Sequence, residues 1–171
     1  MTYYSALLAF LSAFPAYYLE QPDATRPARL EMVAHELAPY PRSVAIPLAY
    51  QMQRESGFAA YVWNGCENPP KGAPSCDKGK ARGYLQPWEV ACRAAYQYAP
   101  GTIESLREEV KCGARIWRNG LRRCDGRHPA GNIAGGFSAF AGASCEWPGG
   151  AKRATEYEAT LQRFLRIRRQ P

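Results

Sequence analysis

Histidine is scarce in this chain, and the cysteine spacings that usually hold zinc are missing. Only two histidines occur and none of the six cysteines falls in a Cys-x-x-Cys pair, which argues against a zinc site. Recognisable nucleic-acid-binding motifs are missing too, and the basic residues are scattered outside one terminal cluster, so nucleic acid is the least favoured partner. There is no long polar tract, low-complexity run or internal repeat, which excludes a disordered or solenoid architecture. No lysine or arginine precedes Arg26, so the apolar start of the chain lacks a basic leader. No metal or organic cofactor is implied.

What is present bounds the fold. A chain of 171 residues with 46% hydrophobic residues can bury the core of one domain, with or without an N-terminal appendage. The net charge of +7, densest at Arg163-Phe164-Leu165-Arg166-Ile167-Arg168-Arg169, favours an anionic partner such as anionic lipid or an acidic cell-wall polymer. The cysteines Cys66, Cys76, Cys92, Cys112, Cys124 and Cys145 form an even set, and loop closure favours pairing 66 with 76, 92 with 112 and 124 with 145. Such bonds place the protein in an oxidising compartment, hence exported to the periplasm, cell envelope or medium.

Residues 3 to 18 are apolar on every helical face and uncharged. They read as an export signal or membrane anchor, with a packed helix of the domain as the alternative, and divide the chain into a segment 1–22 and a domain 23–171. Pro22 and Pro27 suggest a linker up to Arg29. Leu30, Val33, Ala34 and Leu37 then recur at helical spacing, and His35 on that helix reads as a surface or packing residue. Ser43 can cap the next helix, with Pro47 near its first turn. Residues 59 to 82 are turn-forming, with Tyr61 and Trp63 able to stack on sugars or to pack in the core. Pro87-Trp88 opens a short helix to about Tyr98. Thr102 or Ser105 caps a longer one whose stripe Leu106, Val110, Ala114, Trp117, Leu121 is the clearest in the chain. Glycine-rich residues 131 to 142 predict a buried, closely packed helix, and Tyr157, Leu161, Phe164 and Leu165 a final amphipathic one.

One carboxylate stands out. Glu55 follows the apolar run Ile46, Leu48, Ala49, Tyr50, Met52 and precedes Gly57, a residue type that ends helices in the left-handed conformation. It therefore falls in a last helical turn, where the negative end of the helix dipole and partial burial favour a protonated carboxyl, the form a general acid needs. The plainer alternative is a solvated glutamate paired with Arg54.

Glu55-Ser56-Gly57-Phe58, Gly83-Tyr84-Leu85-Gln86, Ser138-Ala139-Phe140-Ala141-Gly142 and Thr155-Glu156-Tyr157, in this order, resemble the soluble lytic transglycosylase family of the lysozyme superfamily. The resemblance covers residues 43 to 165. It implies a mainly α, lysozyme-like single domain with a cysteine-braced loop insertion, acting on peptidoglycan glycan strands. Glu55 would be the catalytic acid and base, cleaving between N-acetylmuramic acid and N-acetylglucosamine with closure of a 1,6-anhydro ring. Ser56, Tyr84, Gln86, Phe140 and Tyr157 would stand on the substrate side. The family's Tyr-Asn pair is replaced here by Phe140-Ala141 or Ala139-Phe140, which removes a hydroxyl and an amide. Two alternatives follow. One is a goose-type hydrolytic muramidase, which would want a second carboxylate (Glu67, Asp77 or Glu146) some ~6.5–9.5 Å from the first. The other is a wall-binding protein, or a part of an envelope-spanning assembly, that lacks the chemistry.

Overall fold

The computed structural model describes residues 2–15, 23–66, 69–73, 83–87, 89, 91–142 and 144–167. Among these the protein is mainly helical, with no strand: α1 (Tyr3–Ser12), α2 (Arg26–Leu37), α3 (Arg42–Ser56), α4 (Ala60–Trp63), a 3-10 helix at Arg93–Gln97, α5 (Ile103–Arg123), α6 (Asn132–Gly142) and α7 (Gly149–Ile167). The chain forms two compact units, residues 1–113 and 114–171, and α5 runs from the first into the second.

In the first unit, α1 begins at Thr2, whose hydroxyl accepts from the Ser5 N–H at 3.2 Å. Leu7, Phe10 and Leu11, at helical spacing, bury one face of α1, which packs on α2. Among the described residues no helix is long and apolar enough to cross a membrane. Helix α2 starts at Arg26, inside the stretch expected to be a linker, because a proline in the first helical turn gives up an N–H that has no intrahelical partner. Its stripe Leu30, Val33, Ala34 and Leu37 is buried as the periodicity predicts. Each of the larger side chains contributes about 1.5–3 kcal/mol by leaving water. Glu36, on the same helix, takes a two-point contact from Arg107 of α5, with both N···O distances 3.1 Å.

Of the helix expected from Pro87 to Tyr98, the described residues form the 3-10 turn Arg93–Gln97. Cys92 at φ −133°, ψ 46° is non-helical, and it is tied to Cys112 of α5 by a disulfide with a Cα–Cα distance of 5.7 Å. Thr102, and not Ser105, caps α5: its hydroxyl accepts from the Ser105 N–H at 3.2 Å. Tyr61 and Trp63 are both buried in α4, and the Trp63 ring stacks on Tyr84 at 5.3 Å.

The second unit is built from the end of α5 with α6 and α7. Residues Ala134 to Ala139 are buried in succession, so the middle of α6 is enclosed on all sides. The reason is visible at Gly136, where a Cβ would meet the Trp117 ring at 3.0 Å. Glycine here allows α5 and α6 to approach closely, and the helix propensity it loses is about 1 kcal/mol. Trp117 packs on Phe137 with ring centroids 4.9 Å apart. A second disulfide, Cys124–Cys145, with Cα atoms 5.1 Å apart, joins the turn after α5 to the segment leading into α7. Two of the three expected cysteine pairings are thus present; the third involves Cys76, which lies outside the described residues, as do Glu67 and Asp77.

Candidate active site

Helix α3 presents Glu55 by burying nearly everything around it. Val44, Ala45, Leu48, Ala49, Tyr50 and Met52 are core residues, while Glu55 is half-buried in the last turn. The helix stops where the sequence says it should. Gly57 adopts φ 59° and its N–H closes on the Gln53 carbonyl at 2.7 Å. Phe58 is also left-handed at φ 55°, a conformation a phenylalanine adopts at a cost of about 1–3 kcal/mol. The compensation is its ring, which is buried against Phe14 at 6.2 Å and Tyr84 at 5.4 Å. Ser56 is spent on the same corner: its hydroxyl donates to the Met52 carbonyl at 2.5 Å and accepts the Phe58 N–H at 3.1 Å. Its hydrogen bonds are those of a helix terminus.

The Glu55 carboxylate is held from its own helix. Gln51, one turn earlier and 1% exposed, donates from Nε2 to Glu55 Oε1 at 2.7 Å. The Oε1 of Gln51 is buried and has no hydrogen-bond partner among the described residues.

The second motif forms a tight turn. Gly83 sits at φ 76° and Gln86 at φ 49°, and the Gly83 carbonyl accepts both the Gln86 N–H at 3.3 Å and Gln86 Nε2 at 2.7 Å. Gly83 is dictated by space as well as by φ, since a Cβ there would lie 2.7 Å from Cδ of Glu109. Glu109, 3% exposed on α5, accepts the Leu85 N–H. It borders a small pocket with Trp63, Gly83, Pro87 and Ser105 that has room for about one water molecule. Tyr84, expected to contact substrate, is 0% exposed. Its large apolar ring completes the cluster with Phe58 and Trp63, and burial, only partly opposed by Arg29, pushes its hydroxyl pKa far above the ordinary value.

Arg29 joins the first two motifs. It is 3% exposed, and its guanidinium donates to Tyr84 Oη at 2.9 Å, to the Phe58 carbonyl at 3.1 Å and to both oxygens of Asp23, at 2.5 and 3.2 Å. A further bond reaches the Thr25 hydroxyl. Burial works against the Asp23 carboxylate, but its bonds from Arg29 and Thr25 together outweigh that and set its pKa below the ordinary value. One cation therefore fixes the corner after Glu55 and the turn before Gln86.

The two remaining candidates belong to the second unit. Phe140 is half-exposed on α6. Tyr157, half-buried on α7, meets the Phe137 ring edge-on at 5.7 Å, and burial, with the Glu158 charge adding to it, raises its pKa to about 12. Glu146, a candidate second carboxylate, is exposed, and its N–H donates to the Ser144 hydroxyl at 3.2 Å.

Sequence reasoning missed Arg29 and Glu109. The signal for Glu109 was its place next to Val110 and three residues after Leu106, within the apolar stripe of α5, where a carboxylate must be buried with a partner. Arg29 carried no such signal, because prolines on both sides of Thr25 suggest a linker. Among the described residues no group of three His, Cys, Asp or Glu side chains is placed to hold a metal ion. No family model, no curated protein and no solved structure matches this chain.

Proposed function

We propose that this protein is an exported, lysozyme-like lytic transglycosylase that cleaves peptidoglycan strands with Glu55 as its single acid and base. The observation that carries this reading is the Glu55 carboxylate itself. It is half-buried at a helix end, held by a buried amide, on a corner that Arg29 clamps to the Gly83–Gln86 turn. The order of the four motifs and the helical fold support the same reading, and the disulfides fit an exported protein.

In this mechanism Glu55 protonates the departing glycosidic oxygen. The substrate's N-acetyl oxygen stabilises the positive anomeric carbon, so no second protein carboxylate is needed. The ionised Glu55 then recovers a proton from the muramyl 6-hydroxyl as that oxygen closes the 1,6-anhydro ring. Gln86 is assigned to hold the sugars. Tyr84, being fully buried, supports the turn from beneath.

Digestion of purified peptidoglycan followed by mass analysis of the muropeptides tests the proposal. Anhydro ends are the expected product. Reducing ends would mean a hydrolase, and no release a wall-binding protein. Glu55→Gln should lower the cleavage rate about 10²–10⁴-fold while binding to insoluble wall persists. A variant that cleaves at the wild-type rate would remove Glu55 from the mechanism.

A further inference from the structure

The core around Glu55 contains a polar group that packing does not call for. Position 51 is 1% exposed between Leu48 and Met52 on α3, a place where leucine or methionine would fill the volume with no unmet hydrogen bond. Instead Gln51 leaves its buried Oε1 without a partner among the described residues, an arrangement that costs stability. Its other end meets Glu55 at 2.7 Å.

We propose that Gln51 is the positioning residue of Glu55, a buried amide that keeps the carboxyl in one place in both of its charge states. The inference rests on the reading of Glu55 as the acid. An ionised carboxylate accepts hydrogen bonds only, and Gln51 Nε2 supplies one. A protonated carboxyl must also donate, and rotation of the amide by half a turn brings Gln51 Oε1 to the same spot as acceptor. Among the described residues the far end of the amide meets no partner, so that end does not favour either orientation. The proton on Glu55 therefore decides which way the amide points. A methionine or leucine could serve neither state, and a lysine only the ionised one. The proton leaves and returns to Glu55 in the proposed cycle, and the carboxyl keeps its hydrogen bond, and hence its aim, at each stage.

Two measurements on the full chain test this. The first is the pH response of the Gln51 side-chain amide resonances by ¹⁵N NMR, compared with that in Glu55→Gln. The expected result is a pH-dependent shift in the native protein and none in Glu55→Gln; resonances that respond alike in both overturn the coupling. The second is steady-state cleavage by Gln51→Met, which keeps the volume and removes the amide. A fall in kcat of about 10- to 100-fold is expected, with KM unchanged and a melting temperature no lower than native. A native kcat in Gln51→Met, or a loss explained wholly by unfolded protein, overturns the positioning role. If the native protein releases no muropeptides, the assignment of Glu55 as acid fails, and the NMR comparison still decides whether the amide follows its proton.

Discussion

Arg29 shows how much of the site depends on one buried side chain. Its guanidinium is committed to the Asp23 carboxylate, the Thr25 and Tyr84 hydroxyls and the Phe58 carbonyl, partners from three separate stretches of the chain. A methionine could fill the same space but would strand the Asp23 carboxylate, whose side chain is 8% exposed. Arg29→Met should therefore destabilise the fold by roughly 3–5 kcal/mol, measured by urea unfolding. A loss under about 1 kcal/mol, within the range of exposed pairs, would show that the network is not the clamp described here. The contrast with Glu55 explains what the sequence made legible at this scale. Glu55 and Gly57 are placed by local rules, helix propensity and left-handed glycine, which act over a few neighbours. Arg29 is placed by partners up to 55 positions away, such as Tyr84, and no local pattern encodes those. Tyr84 is likewise buried by partners distant in sequence. A tyrosine in a turn reads as surface until Phe58 and Trp63 are known to close over it.

At the scale of elements, apolar periodicity located α2, α5 and α7, while an apolar run closed by Gly57 marked α3 and a glycine-rich stretch marked α6. Between Pro87 and Tyr98 the disulfide to Cys112 and the non-helical Cys92 override a helix-compatible composition. The pairing of α6 with α7 carries a pH-dependent contribution. The Tyr157 hydroxyl has its pKa raised to about 12 from the ordinary 10.0, first by burial and then by Glu158. Between these values the folded chain keeps a proton that the unfolded chain has lost. Folding stability thus falls as pH climbs through that window, and the contribution is complete only below pH 10. In Tyr157→Phe the group is missing, so its stability should decline less steeply between pH 10 and pH 12 than that of the native protein. Denaturant midpoints in a buffer series check this, and parallel curves would show that Tyr157 titrates as an exposed tyrosine.

For the whole molecule, the cysteines connect the fold to its compartment. Each compact unit contains a disulfide of its own, Cys92–Cys112 with a sequence separation of 20 and Cys124–Cys145 with one of 21. Neither unit is large, and a 58-residue unit such as 114–171 buries a small core by itself. Closing a loop of about 20 residues removes unfolded-state entropy equivalent to roughly 3 kcal/mol per bond. These pairings were legible in the sequence because the nearest-neighbour order also closes short loops. A lysozyme-like architecture is proposed from the resemblance alone, since four short motifs in order carry no three-dimensional geometry. If the bonds are structural, Cys92→Ser with Cys112→Ser, and separately Cys124→Ser with Cys145→Ser, should each lower the melting temperature by about 6–12 °C, the shift expected from ~3 kcal/mol in a chain of this size. Thiol reductant should lower the native melting temperature at least as far as either double variant does. An unchanged transition in reductant would show that the bonds add nothing to stability, and the cysteines would then no longer argue for an oxidising compartment or for export.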